Sequence, residues 1–458
     1  MNIESAYRYC PGGYHPVHLD DKFHNGRYTV VNKLGHGTYA VVWLVYDSQI
    51  GRYAALKICV ANLERSISRV FDEITVVKYL QHVRAQSSQS PDDDEGNNHV
   101  VQIFDVFTHK GPNGTHLCIV TEILGPNLAD ALFYMYREDP APTGIAKRLG
   151  AQVAYGLRYL HKHGIVHGDL HVRNVLLYAP TIISSSQEHT EKMIRKPRRY
   201  IPHAWKADAP TSDLSLNPAP DPHIPQYLVL PCLEDSFIEI CFADPASLHV
   251  KICDFGESFL AVPGSGSRIR PSHCPEVFAS PEVFFENLLS PASDIWALAH
   301  LINYLFLRRF LFSEPAPFSR AVMVLKLGKF PEKWWAMWSG SANGSDTSSA
   351  SSDMSDSSTA SSGERWDWFD EDENWCSRKR KPGKGSGKWL MLPRQFPFEG
   401  EAEEDRAMVE RILRKMTFYD VEKRATAAEV VELIPDRWMR DRPGEEGIDW
   451  PVMPDDDP

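Results

Sequence analysis

His167-Gly168-Asp169-Leu170-His171-Val172-Arg173-Asn174 is the stretch on which the reading of this chain turns. Before it, Ile145, Leu149, Val153, Leu157 and Leu160 recur at helical spacing, and the run ends at His163-Gly164. The apolar Val175-Leu176-Leu177 follows it directly. A buried helix on one side and an apolar strand on the other would hold the intervening loop firmly. An Asp and an Asn five residues apart on such a loop can serve one reaction centre. The Asp can accept a hydroxyl proton while the Asn amide oxygen ligates a metal. By itself the pattern is explained as well by a structural turn.

Its company in chain order decides between the two. Gly35-x-Gly37, Lys57 and Glu73 lie upstream, and Asp254-Phe255-Gly256 and Pro281-Glu282 lie downstream. Together these resemble the eukaryotic protein kinase signature set. A narrower resemblance rests on Tyr9-Cys10-Pro11-Gly12-Gly13-Tyr14-His15-Pro16-Val17, on Gly26-Arg27-Tyr28, and on Lys33-Leu34-Gly35-His36-Gly37 with Val42-Trp43-Leu44. These look like the opening of the SR-protein kinases, which phosphorylate serines in Arg/Ser-rich splicing factors. Leu327 to Trp335 resembles the insert of the same family, and Asp420 to Glu429 the last kinase subdomain, where Arg424 would pair with Glu282.

The resemblance implies an α+β, bilobal protein kinase-like fold with a β-rich N-lobe, a helical C-lobe and two disordered insertions. The expected order is an N-terminal lead-in at 1–25, an N-lobe at 26–123, and a first part of the C-lobe at 124–178. A Pro-, Ser- and His-rich spacer without periodicity then fills 179–246. The C-lobe resumes at 247–336, is interrupted by a Ser/Asp-rich low-complexity insertion at 337–388, and ends with 389–458. Within the N-lobe, the polar, acidic stretch Gln81 to Asn98 reads as a mobile loop, and Asn113-Gly114-Thr115-His116 as a hairpin turn.

Ala54-Ala55-Leu56-Lys57-Ile58 is a short apolar strand with one charge, costly to bury unless paired. In the helical run Arg69 to Leu80, Glu73 shares a face with Val70 and Val77, whereas Asp72 points away, so Glu73 is the expected partner. Leu34-Gly35-His36-Gly37-Thr38-Tyr39-Ala40-Val41-Val42 predicts a β-hairpin whose glycines let backbone N–H groups approach phosphate, with Ala40 where a third glycine is usual. The resemblance implies that ATP lies against Leu34 to Val42, Ala55, Lys57, Leu176, the gatekeeper Thr121 and the hinge residues Glu122 and Leu124. It implies Mg²⁺ on Asn174 and Asp254, and a catalytic set of Asp169, Lys57, Glu73 and His171. It also gives Asp294 the task of tying down the catalytic loop backbone.

Two positions depart from the common protein kinase pattern. Gly168 replaces an Arg that pairs with an activation-loop phosphate, which implies activity without that phosphorylation, as in SR-protein kinases. His171 replaces a Lys that steadies the γ-phosphate, and imidazole is the weaker electrostatic partner. A similar His-Gly-Asp-Leu-His-x-x-Asn loop occurs in small-molecule kinases of the aminoglycoside and choline type. That alternative conflicts with Pro281-Glu282 and Arg424. A pseudokinase scaffold is the other alternative, favoured by His171 and Ala40 against Lys57, Asp169, Asn174 and Asp254.

Composition bounds the partners. A net charge of -12 argues against broad nucleic-acid binding and fits a basic protein substrate. The 8 cysteines include no C-x-x-C pair, which predicts free thiols in a reducing compartment. Neither a leader nor an apolar run of membrane-spanning length is expected. The expectation is a monomer, cytoplasmic and nuclear, acting on Arg/Ser-rich proteins without contacting nucleic acid or membrane.

Overall fold

A computed structural model describes residues 3–61, 67–87, 95–178, 196–201, 221–232, 235–243, 247–261, 267–312, 319–340 and 402–440. The first lobe is a six-stranded antiparallel sheet of β1 (Lys22–Phe23), β2 (Tyr28–His36), β3 (Ala40–Asp47), β4 (Arg52–Cys59), β5 (Ile103–Gly111) and β6 (Gly114–Thr121). The strand order is β1-β2-β3-β4-β6-β5. Alternation along the strands sends Val41, Trp43, Leu56 and Ile58 into one buried cluster, shared with Tyr9, Tyr14 and Val17 of the N-terminal segment. Val42 and Lys57, opposite each other in register, are left for the other face. The N-terminal segment is therefore part of a core. Gly111 faces Gly114 across the hairpin, so the turn is Pro112-Asn113 and the predicted turn residues Thr115 and His116 lie in β6.

The helix α1 (Ile67–Ser87) extends well past Leu80, so residues 81–87, expected in a loop, are helical. Inside it Arg84 donates to the Val101 carbonyl at 2.6 Å and to Asn97 Oδ1 at 2.6 Å, a tertiary anchor for a polar stretch without an apolar stripe. After the interlobe segment, α2 (Leu128–Tyr136) starts at Asn127, whose side chain accepts from Asp130 N at 3.0 Å. The helix α3 (Thr143–Lys162) follows, with Ile145, Leu149, Val153, Leu157 and Leu160 all buried as the spacing requires. Gly164, at φ +68°, turns the chain into β7 (Ile165–Val166) and the loop toward β8 (Val175–Tyr178). The helix Pro291–Leu307 packs against α3, and the lower lobe closes on the helices 402–416 and 427–433. Arg424 and Glu282, both buried, form a two-pronged ion pair across this lobe at 2.7 and 3.0 Å.

The disordered reading of 179–246 needs correcting for three pieces. Arg199–Tyr200 pairs with Leu228–Val229, and Tyr200, Leu228 and Val229 join the upper-lobe core. Asp235–Ala243 forms a helix whose Phe237, Ile238, Cys241 and Phe242 are buried in the main core. Its Glu239 accepts from the Tyr134 hydroxyl at 2.6 Å. Apolar residues this few and this scattered carry no readable period, yet they find cores built by other segments. Most of the 337–388 insertion and the sequence beyond 440 lie outside the described residues.

Three histidines, His99 and His300 buried and His15 half-buried, predict acid sensitivity. Burial, reinforced by nearby rings or a lysine, lowers His15, His99 and His300 to about 3. They stay neutral in the fold, whereas in the unfolded chain they take up a proton below about pH 6.5. Stability is thus unaffected by them above that pH and falls progressively as pH drops from it toward about 3. Urea midpoints should therefore drop clearly from pH 7 to pH 5.5, and a flat profile would refute buried neutral histidines.

Candidate active site

The loop 167–174 is tied down from below. Asp294, buried near the start of the helix Pro291–Leu307, accepts the backbone N–H of His167 at 2.7 Å and of Gly168 at 2.9 Å. Its carboxylate also lies 3.0 Å from His161 Nε2. Gly168 sits at φ +77°, and a Cβ there would fall 2.6 Å from the Glu257 carbonyl oxygen. The usual Arg is thus excluded by backbone shape at this position. Further along, Asn174 Nδ2 donates to the Asp169 carbonyl at 2.9 Å and to Asp169 Oδ2 at 3.2 Å, which fixes the carboxylate and leaves the Asn amide oxygen for another ligand. The Arg173 N–H donates to His171 Nδ1 at 3.1 Å. That puts the proton of a neutral ring on Nε2, which lies 3.6 Å from Asp169 Oδ1.

The second group of residues arrives from the sheet. Lys57 Nζ is 3.3 Å from Glu73 Oε1 and 2.7 Å from Asp254 Oδ1. Burial lowers the ammonium's pKa, but the two carboxylates more than offset it, so the group is held charged well above its ordinary value. Asp72, the alternative partner, faces Arg268 and Arg270 instead. Pairing of β8 with His249–Ile252 brings the two metal-site candidates together. Where that ladder ends, the Cys253 N–H donates to the Asn174 carbonyl at 2.9 Å, and Asp254 follows in the left-handed region at φ +64°. An amide oxygen and a carboxylate are the hard donors that Mg²⁺ takes together with phosphates and water. Among the described residues no three His, Cys, Asp or Glu converge as a metal cage.

The remaining nucleotide candidates cluster around the same hairpin and hinge, except that Val41 is turned into the outer core away from Lys57, so its expected contact with ATP is corrected: alternation along β3 gives that face to Val42. Gly35, His36 and Val41 to Val42 pair across the β2–β3 hairpin with Leu34 before them, while Gly37, Thr38 and Tyr39 form its exposed tip and Ala40 is buried. Ala55 sits beside Thr121 in register, and Leu124 and Leu176 belong to the core beneath. The Glu122 N–H is used by the Gln102 carbonyl at 3.1 Å, which leaves the Glu122 carbonyl, touched at 2.9 Å by the Thr121 hydroxyl, as that residue's backbone group for a ligand.

A match to the protein kinase domain model covers residues 28–183. Over 175 residues the chain is 41% identical to protein kinase dsk1 of Schizosaccharomyces pombe, covering 38% of this chain and 30% of that one. It is 34% identical over 225 residues to serine/threonine-protein kinase SKY1 of Saccharomyces cerevisiae, covering 48% and 29%. With human SRSF protein kinase 3 the identity is 40% over 176 residues, covering 38% and 29%. Residues 28–183 thus match a protein kinase domain, and the chain is similar to these serine/threonine-protein and SRSF protein kinases. It spans about a third of the length of these relatives.

Some contacts around the site escaped the sequence. Lys251 pairs with Glu122 at 2.8 Å, both buried, behind the interlobe segment. The clue was present, since Val250-Lys251-Ile252 is a charge inside an apolar strand, the same signal that marks Lys57. Arg270 also donates to the Glu257 carbonyl, and His273 Nδ1 lies 3.1 Å from Glu257 Oε1, so Glu257 organises the segment after Asp254. Cys274 stands beside Asp169; burial, then that carboxylate, raises its thiol well above the ordinary value.

Proposed function

We propose that this chain is an ATP- and Mg²⁺-dependent serine/threonine protein kinase acting on serines of Arg/Ser-rich proteins, and thereby in mRNA splicing. The observation that carries the reading is the meeting of Lys57, paired with both Glu73 and Asp254, with an Asp169 carboxylate held by Asn174. Mg·ATP, when bound, supplies the phosphoryl group and the cationic charge that steadies it. Lys57 holds phosphate oxygens in the position set by Glu73, and Asn174 and Asp254 offer oxygen ligands. Asp169 orients the incoming serine hydroxyl and takes its proton. His171 Nε2 lies 3.6 Å from the same carboxylate, close enough for electrostatic support without a direct hydrogen bond.

The substrate class is supported by SRSF protein kinase 3 among the relatives and by a net charge of -12, which attracts Arg-rich chains. Arg268 and Arg270 tie the segment after Asp254 to Asp72 without a phosphate, which supports activity without activation-segment phosphorylation. The kinase acts as a monomer, in cytoplasm and nucleus, without contacting nucleic acid or membrane. Dephosphorylated recombinant protein should transfer phosphate from Mg·ATP to an Arg/Ser-repeat peptide, and little to a Lys/Ser peptide, choline or an aminoglycoside. Absence of transfer to the Arg/Ser peptide with ATP binding intact would sink the proposal.

A further inference from the structure

The N-terminal segment reaches the tip of the glycine loop. Tyr14, itself buried, donates its hydroxyl to the Gly37 carbonyl at 2.7 Å and lies 3.4 Å from the Thr38 carbonyl. Burial raises its pKa, so the hydroxyl remains a donor. The ring is braced on both sides: Tyr9 packs edge-on at 5.5 Å and the Arg8 guanidinium covers it at 4.9 Å. The main chain is pinned as well, since Asn113 Nδ2 donates to the Tyr14 carbonyl at 2.6 Å and the Ala61 N–H donates to Gly13 at 3.1 Å. Gly13 permits this fold-back, because a Cβ there would lie 1.9 Å from the Arg8 carbonyl oxygen. Such a rigid platform contrasts with the exposed Gly37, Thr38 and Tyr39 that it touches.

A trans peptide is planar, and its C=O and N–H point in opposite directions. Tyr14 belongs to the core on the outer face of the sheet, and Lys57 stands on the other face. Holding the Gly37 carbonyl outward therefore turns the Thr38 N–H inward, toward the side where Lys57 awaits phosphate. We propose that Tyr14 is a positioning residue that presets the loop-tip amides of Thr38 and Tyr39 for the phosphates of the bound nucleotide. A preset amide donor needs no reorganisation when phosphate arrives, whereas a free loop tip would sample both orientations.

The inference rests on the reading that ATP binds beneath this loop. The test compares affinities for adenosine, ADP and ATP in the full chain and its Tyr14→Phe variant, which keeps the braced ring and removes one hydrogen bond. ADP and ATP affinities should fall roughly three- to tenfold, the range for one such bond, while adenosine affinity stays the same. The KM for ATP should rise in step. Tyr9→Phe, which removes one hydrogen bond to Glu4 in the same segment, leaves the Glu4–Lys33 pair and does not touch the loop tip, should leave all three affinities unchanged. Unaltered ADP and ATP affinities in Tyr14→Phe, an equal loss for adenosine, or an equal effect of Tyr9→Phe would each overturn the assignment. Amide exchange in the wild type gives an answer that needs no variant: Thr38 and Tyr39 should be protected by ATP and not by adenosine, and equal protection would overturn it too. A wild-type chain that binds no ATP would defeat the kinase reading itself, which these outcomes keep distinct.

Discussion

Asp169→Asn is expected to lower phosphate transfer roughly 10²- to 10⁴-fold, the range for removing a positioned general base. The amide matches the carboxylate in shape, and its oxygen can still accept from Asn174 Nδ2, now 3.2 Å from Oδ2. The loop itself hangs on backbone bonds from His167 and Gly168 to Asp294, which the substitution does not touch. What disappears is the negative charge and the capacity to take a proton. His171 cannot substitute, because its Nδ1 already accepts from Arg173 and its Nε2 carries a proton in the neutral ring. ATP affinity should stay within about twofold, since the lost interaction belongs to the transition state and Lys57, Glu73 and Asp254 are intact. Single-turnover transfer with a parallel ATP-binding measurement decides it. Transfer persisting at the wild-type rate would remove Asp169 from the mechanism, and a collapse of ATP affinity would make it a structural residue.

The parts of this architecture that depend on local period were legible in the sequence. Helical spacing alone separated Glu73 from Asp72, and the two carboxylates do face different partners. The stripe of α3 and the apolar flanks placed the loop 167–174 between a buried helix and a strand. What stayed hidden depends on residues distant in sequence. Nothing in Tyr14 or its neighbours announces that its hydroxyl will meet Gly37, because the fold-back that joins them is tertiary. Gly168 could be read as a missing Arg, but that any Cβ would strike Glu257 follows only from the path of the segment after Asp254. The spacer pieces at Leu228–Val229 and Phe237–Phe242 were unreadable for a related reason: each covers a core whose other side was built elsewhere.

Arg424→Met should destabilise the chain by about 3–5 kcal/mol, the cost of leaving a buried carboxylate unpaired. Arg424 gives two hydrogen bonds to Glu282, at 2.7 and 3.0 Å, and its guanidinium lies 5.0 Å over the Trp296 ring. It also donates to the Ala292 carbonyl at 2.7 Å and to the Phe418 carbonyl at 2.9 and 3.0 Å. One side chain thus joins the helix Pro281–Glu286, the start of the helix Pro291–Leu307 and the chain before 427–433. Desolvation makes such a pair a poor source of net stability, yet breaking it on one side is severe. The double change Glu282→Leu with Arg424→Met should therefore be less damaging than Arg424→Met alone, because no buried charge is stranded. Denaturant midpoints of the three proteins test this, and a double variant worse than the single one would show that the ion pair itself stabilises the lobe. Ala292 adjoins Ser293 and Asp294, and Asp294 holds the loop of Asp169. Loss of Arg424 should thus reach the active site as well, lowering transfer at temperatures where most of the chain is still folded.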